Sequence, residues 1–183
     1  DDYCKFATAP AIAMGGAAGI QNIRVEGNTV YDGPVYLWGA SGVRIFKNNI
    51  LQTGSGSGCA LDAPGFDVSN NQFYGCRGDL SSQPNVLWNV NPQFVNIAAK
   101  DFRLQATSPA RNSGIAVSGI TKDIYGTARP QGSAWDRGAL EFIEGGTPIN
   151  QAPQVNAGAD QTITLPATTV TLNGSVTDDG LPT

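Results

Sequence analysis

Ile23-Arg24-Val25-Glu26-Gly27-Asn28-Thr29-Val30, Val43-Arg44-Ile45-Phe46-Lys47-Asn48-Asn49-Ile50 and Phe66-Asp67-Val68-Ser69-Asn70-Asn71-Gln72-Phe73 align without a gap. The shared pattern is apolar, x, apolar, x, x, Asn, x, apolar, and it recurs at intervals of roughly 20 residues, the signature of a repeat architecture. Apolar residues two apart face one side of a strand. Ile23/Val25, Val43/Ile45 and Phe66/Val68 are therefore read as inward pairs. A turn follows each pair, and Asn suits it because Asn tolerates left-handed backbone and bonds its own main chain. Val30, Ile50 and Phe73 then open the next strand. One such coil cannot bury its own apolar side. Coils stacked ~4.8 Å apart can, and stacking aligns like residues in ladders. The alignment predicts an internal ladder of Asn28, Asn48 and Asn71.

A further strand stands upstream of each segment. Val35-Tyr36-Leu37-Trp38 precedes Gly42, Cys59-Ala60-Leu61-Asp62 precedes Gly65, and Ile12-Ala13-Met14 is read as the earlier equivalent. Helical periodicity is missing throughout this stretch. The expected fold is all-β: the last coils and closing segment of a right-handed parallel β-helix over residues 1–142, a linker over 143–151, and an incomplete sandwich-like module over 152–183.

The pattern resembles the right-handed parallel β-helix repeat proteins of the pectate-lyase-like superfamily. Asn91-Pro92-Gln93-Phe94-Val95-Asn96, Asp101-Phe102-Arg103-Leu104 and Ser108-Pro109-Ala110-Arg111-Asn112-Ser113-Gly114 are similar to the segment that closes such helices in secreted bacterial proteins. So are Asp123-Ile124-Tyr125-Gly126, Arg129-Pro130 and Trp135-Asp136-Arg137-Gly138-Ala139-Leu140-Glu141. The chain departs from that pattern at Asn91, Asn96, Asn112 and Arg137, so different polar contacts are expected there. Ala152-Pro153-Gln154-Val155 through Asp178-Asp179-Gly180 is similar to the start of a PKD-type immunoglobulin-like module. The resemblance implies a secreted, extracellular protein that binds or processes an acidic polysaccharide, in lyase or hydrolase fashion. It equally admits a non-catalytic adhesive protein, because one fold carries many functions.

Composition agrees with a folded extracellular chain. Among 183 residues, 23 are Gly and 11 Pro, 14% are charged, and the net charge is −4. No cluster of Lys and Arg suggests nucleic-acid binding, and no apolar run of about 20 residues suggests a membrane span. The chain starts at Asp1, read here as a processed or cut end, with any catalytic coils expected before it. There is no His, which removes Ser-His-Asp and Cys-His chemistry and the usual zinc sites. Cys59 and Cys76 are candidates for a disulfide and equally read as small buried apolar residues; Cys4 is the third cysteine.

Outward positions supply the candidate binding residues. The alignment stacks Arg24, Arg44 and Asp67 in one column, and Glu26, Phe46 and Ser69 in a second. Paired arginines suit a uronate carboxylate, whereas the ordinary reading has Asp67 and Glu26 neutralising them as surface ion pairs. Tyr36 and Trp38 present aromatic faces to a sugar ring or to a docking segment, with Asp62 aligned to Trp38. A lyase needs a Lys or Arg base, for which Lys47 is the aligned candidate. A hydrolase needs two spaced carboxylates, and no motif singles out Asp62 and Asp67 for that role. No catalytic residue is assigned. No cofactor is expected, although Asp178-Asp179 has the chemistry of a calcium loop. Residues 152–183 are expected to pair with the helix edge or with another copy, since their strands lack a partner sheet.

Overall fold

A computed structural model describes residues 12–14, 20–54, 59–145, 154–162, 164–166, 169–171 and 173–177. The described residues are all-β, with no helix among them. The chain divides into two compact units, Asp1–Gly145 and Gly146–Thr183.

Three parallel sheets make up the first part of unit one. Strands β1 (Ile12–Met14), β4 (Val35–Leu37) and β7 (Leu61–Asp62) form one sheet. Strands β2 (Gln21–Glu26), β5 (Ser41–Lys47) and β8 (Asp67–Ser69) form another. The third runs β3 (Thr29–Tyr31), β6 (Ile50–Gln52), β9 (Gln72–Tyr74) and β10 (Leu87–Trp88). The chain visits the three sheets in turn and then repeats, so β1-β2-β3, β4-β5-β6 and β7-β8-β9 are three successive circuits.

Alternation builds the core. Val35 and Leu37 are 0% exposed, and Ile23, Val25, Val30, Phe46, Leu51, Val68 and Phe73 join them in one cluster. Burying each such side chain contributes roughly 1.5–3 kcal/mol. Between the second and third strands of each circuit the backbone turns through a left-handed residue: Gly27 (φ 67°), Asn48 (φ 56°) and Asn70 (φ 57°). Asn tolerates this region better than most residues because its short amide bonds locally.

The register corrects the gapless alignment. Val25 pairs with Phe46 and Phe46 with Val68; Thr29 pairs with Ile50 and Ile50 with Gln72. The middle segment is thus displaced by one residue, and a one-residue slip moves every side chain to the other face. Val43 is 44% exposed and Phe46, not Ile45, fills the core. The cause is a bulge. Gln21 pairs with Ser41 but Ile23 with Arg44, so Gly42 and Val43 together oppose Asn22. Gly42 is left-handed (φ 71°), and the Asn22 amide oxygen accepts the Val43 N–H at 2.9 Å.

The ladder accordingly runs through Asn28, Asn49 and Asn71, and Asn48 is not part of it. The Asn49 side-chain oxygen accepts both the Asn28 N–H and its amide, each at 3.0 Å. The Asn71 oxygen does the same for Asn49, at 2.9 and 3.1 Å. The side-chain amides of Asn49 and Asn71 donate back to the Val25 and Phe46 carbonyls. Two adjacent asparagines divide two tasks: Asn48 takes the left-handed turn and Asn49 the ladder.

The outer side of the β3-β6-β9-β10 sheet carries a second layer. Strands β11 (Phe94–Asn96) and β12 (Asp101–Leu104) form an antiparallel pair. Ile50 packs with Phe94, Leu104 and Ala110, opposite the core-facing Leu51, and Phe102 meets Tyr31 and Phe94. Residues 137–139 of the closing segment then run along the turns of all three circuits. Ala139 N–H donates to the Thr29 hydroxyl, Gly138 N–H to the Asn48 carbonyl, and the Arg137 guanidinium to the Asn71 carbonyl. The Asn48 side chain meanwhile holds both the N–H and C=O of Ile115. An extended chain advances ~3.3 Å per residue and stacked strands lie ~4.8 Å apart, so the long Arg137 side chain supplies the missing reach.

In unit two, β13 (Gln154–Asn156) and β14 (Ser175–Thr177) are antiparallel, with Val155 opposite Val176. These two valines lie on one face and are 74% and 65% exposed. Ile163, Leu172 and the Asp178-Asp179 pair fall outside the described residues.

Candidate functional site

The sequence candidates fall on two outer faces. On the β2-β5-β8 sheet the expected column of two arginines does not form. Arg24 neighbours Ile45, which neighbours Asp67, while Arg44 stands opposite Ile23. The second column is Glu26, Lys47 and Ser69 rather than Glu26, Phe46 and Ser69. Arg24 is bound to Glu26 on its own strand at 2.8 Å. Lys47 is bound across circuits to Asp67 at 2.5 Å. The hydrogen bond from Lys47, with help from Ser69, holds the Asp67 carboxyl below the usual range. Lys47 is therefore half-buried in an ion pair, a poor arrangement for a base that must be free to take a proton.

On the β1-β4-β7 sheet, Tyr36 and Trp38 lie on the side opposite the buried Val35 and Leu37, and both are partly exposed. Asp62 is exposed and pairs in register with Tyr36, not with Trp38, because Val35 opposes Leu61. The parallel sheet thus carries two aromatic side chains two residues apart on its outer side, beside one carboxylate. Tyr and Trp combine an apolar ring face with a polar edge, and a carboxylate accepts hydrogen bonds from hydroxyl groups.

Cys59 and Cys76 are joined in a disulfide that closes the third circuit. Cys59 is fully buried in the core cluster. Cys4 lies outside the described residues.

A charged cluster that sequence reading did not single out as a site occupies the closing segment. Arg129 pairs with Glu141 at 2.9 Å, with side chains 4% and 1% exposed, and donates to the Asp136 and Gly138 carbonyls. Asp136 accepts the Asn112 and Phe142 N–H groups, one on each oxygen. Asp123 accepts the N–H groups of Tyr125, Thr127 and Glu141. Burial raises the Asp136 and Glu141 carboxyls above their ordinary values and lowers Arg137 to about 10. These groups already bond backbone, so the cluster acts as a clamp rather than a reaction centre. The departures at Asn112 and Arg137 belong to it: the Asn112 oxygen accepts the Ala134 N–H, and Arg137 donates to Ser113 and Asn71 carbonyls. Its signal in the sequence was the density of Asp, Arg and Glu within residues 123–141.

No group of three or more His, Cys, Asp or Glu suited to a metal occurs among the described residues, and no helix there is long and apolar enough to cross a membrane. Comparison with protein-family models, curated proteins and solved structures found no match.

Proposed function

We propose that residues 1–142 form the closing coils and closing segment of a right-handed parallel β-helix from a secreted carbohydrate-handling protein, and that its β1-β4-β7 face holds a polysaccharide. Three parallel sheets visited in turn support the fold reading, and parallel crossovers are almost always right-handed. The observation that carries the function is Tyr36 and Trp38, partly exposed on one outer sheet face, with Asp62 beside Tyr36. Rings on such a face stack on sugar rings, and the carboxylate binds hydroxyls. This is a binding role, and cleavage chemistry is assigned to no residue. Affinity electrophoresis in gels containing neutral and acidic polysaccharides tests it. Wild-type chain should be retarded by at least one of them, and Trp38→Ala should lose most of the retardation. Equal migration of both proteins in every gel would end the reading.

A second reading, self-association through residues 152–183, is favoured by the exposed Val155–Val176 pair on one face of β13–β14. A two-stranded sheet alone is marginal in water. Sedimentation over a wide concentration range should show association that Val155→Lys abolishes; a monomer at all concentrations would count against it.

A further inference from the structure

We infer that Asn173 is a site of spontaneous covalent modification, losing its side-chain amide through a cyclic imide formed with the Gly174 backbone nitrogen. It does not depend on the polysaccharide reading or on the self-association reading above.

The sequence holds one Asn-Gly pair, Asn173-Gly174. Asparagine is chemically thermolabile. Attack on its side chain by the next residue needs an accessible Cγ, a backbone nitrogen not tied up in a hydrogen bond, and no Cβ in the way. Glycine meets the last condition and lets the backbone adopt the required geometry. Asn173 and Gly174 are both exposed. Neither the Gly174 N–H nor the Asn173 amide bonds any described residue. Other asparagines are held. Asn49 and Asn71 are buried, with their amides on the Val25 and Phe46 carbonyls. The exposed Asn156 spends its oxygen on the Gly158 N–H at 2.8 Å and is followed by Ala157.

The chemistry balances. The Gly174 nitrogen gives up its proton and bonds Asn173 Cγ, the Cγ–Nδ2 bond breaks, and ammonia leaves with that proton. Water then opens the ring at either carbonyl. Opening at the side-chain carbonyl leaves an ordinary aspartate. Opening at the main-chain carbonyl routes the backbone through Cβ and Cγ as isoaspartate. Either product carries a new negative charge.

The position couples this step to the β13–β14 pair. Ser175 opens β14 and is the register partner of Asn156. Just beyond that pair the two backbones approach closely. The Asn173 carbonyl oxygen lies 2.7 Å from where a Cβ of Gly158 would stand, and the Asn156 oxygen 3.2 Å from where a Cβ of Gly174 would stand. Isoaspartate lengthens the main chain by a methylene at this point, which pulls Ser175 out of register with Asn156.

The test is to hold the native chain in warm, mildly alkaline buffer and map peptides by mass spectrometry, with fragmentation that tells isoaspartate from aspartate. Trypsin leaves Asn156 and Asn173 in one peptide, since no Lys or Arg follows Arg137. Asn173 should convert first, at a rate close to that of the chain in urea, with Asn156 and the ladder intact. Gly174→Ala should slow conversion by about an order of magnitude, because the added Cβ stands in the path of attack. Asn156 converting before Asn173, Gly174→Ala converting as fast as wild-type, or a folded chain keeping Asn173 while the chain in urea loses it would each overturn the inference. Amide exchange at Val155 and Val176 should speed up in the isoaspartate form and stay unchanged in Asn173→Asp, which adds the charge without the longer backbone. Equal exchange in all three would overturn the coupling to the hairpin.

Discussion

The stacked circuits and the closing segment of unit one are held together by opposite means. The circuits use apolar side chains and a neutral Asn28–Asn49–Asn71 ladder, repeated with small variations from one circuit to the next. The closing segment uses ionised groups, each present once: Arg129 with Glu141, Asp136 and Asp123 on backbone N–H groups, and Arg137 on backbone carbonyls. Repetition spreads a loss over neighbours, whereas a unique buried pair fails when one member goes. The contrast extends to the surface. The clamp consumes its charges internally, while the outer β1-β4-β7 face carries the partly exposed Tyr36 and Trp38 and the exposed Asp62.

The sharpest way to break the comparison is to remove half of the buried pair. Arg129→Met strands the Glu141 carboxylate, and unfolding free energy should fall by about 3–5 kcal/mol; the double variant with Glu141→Met should recover much of that. Urea titration of both variants checks it, and a double variant as weak as the single one would contradict the clamp. The disulfide comes next. Replacing Cys59 and Cys76 together by Ser opens the third circuit and should cost about 3 kcal/mol, read from the shift in urea midpoint.

Within the ladder the two neighbouring asparagines should differ. Asn49→Ala unpairs groups on the first and third circuits and should cost roughly 2–4 kcal/mol. Asn48→Gly keeps the left-handed turn and loses only the Ile115 contacts, about 1 kcal/mol. Equal effects in thermal melts would mean that the ladder does not run through Asn49.

The smallest expected effect is in pH dependence. Asp136 and Glu141 have folded-state values raised by burial, so the folded chain binds protons more readily than the unfolded one. Their contribution to stability therefore grows as pH falls from neutral toward the raised values. The exposed Asp67 and the partly exposed Asp101 are lowered, first by hydrogen bonds from Lys47 and Arg103. Their contribution is present above the ordinary Asp value and is lost as pH falls through the folded values. Melting temperature should accordingly hold or rise between pH 7 and 5 and fall below about pH 4, the ordinary carboxylate range. Glu141→Gln should flatten the first part of the curve.

Much of the fold was legible before the coordinates. Apolar residues two apart, in segments that repeat with Asn at the turns, predict stacked strands because one circuit cannot bury its own side chains. The residue types Tyr36, Trp38 and Asp62 were equally visible. Register was not. Asn48-Asn49 offers two asparagines to one ladder, and Val43, Ile45 and Phe46 offer apolar residues to either face. A gapless alignment chose Asn48 and stacked Arg24 on Arg44.

What the sequence alone determined is the class of architecture, because periodicity and turn chemistry are local properties. What only the tertiary structure decided is which residues meet. The bulge opposite Asn22 shifts one strand by a residue, and the closing segment takes Asn48 for Ile115. Both depend on contacts between residues distant in the chain. Those contacts decide that Arg24 pairs with Glu26 and Lys47 with Asp67.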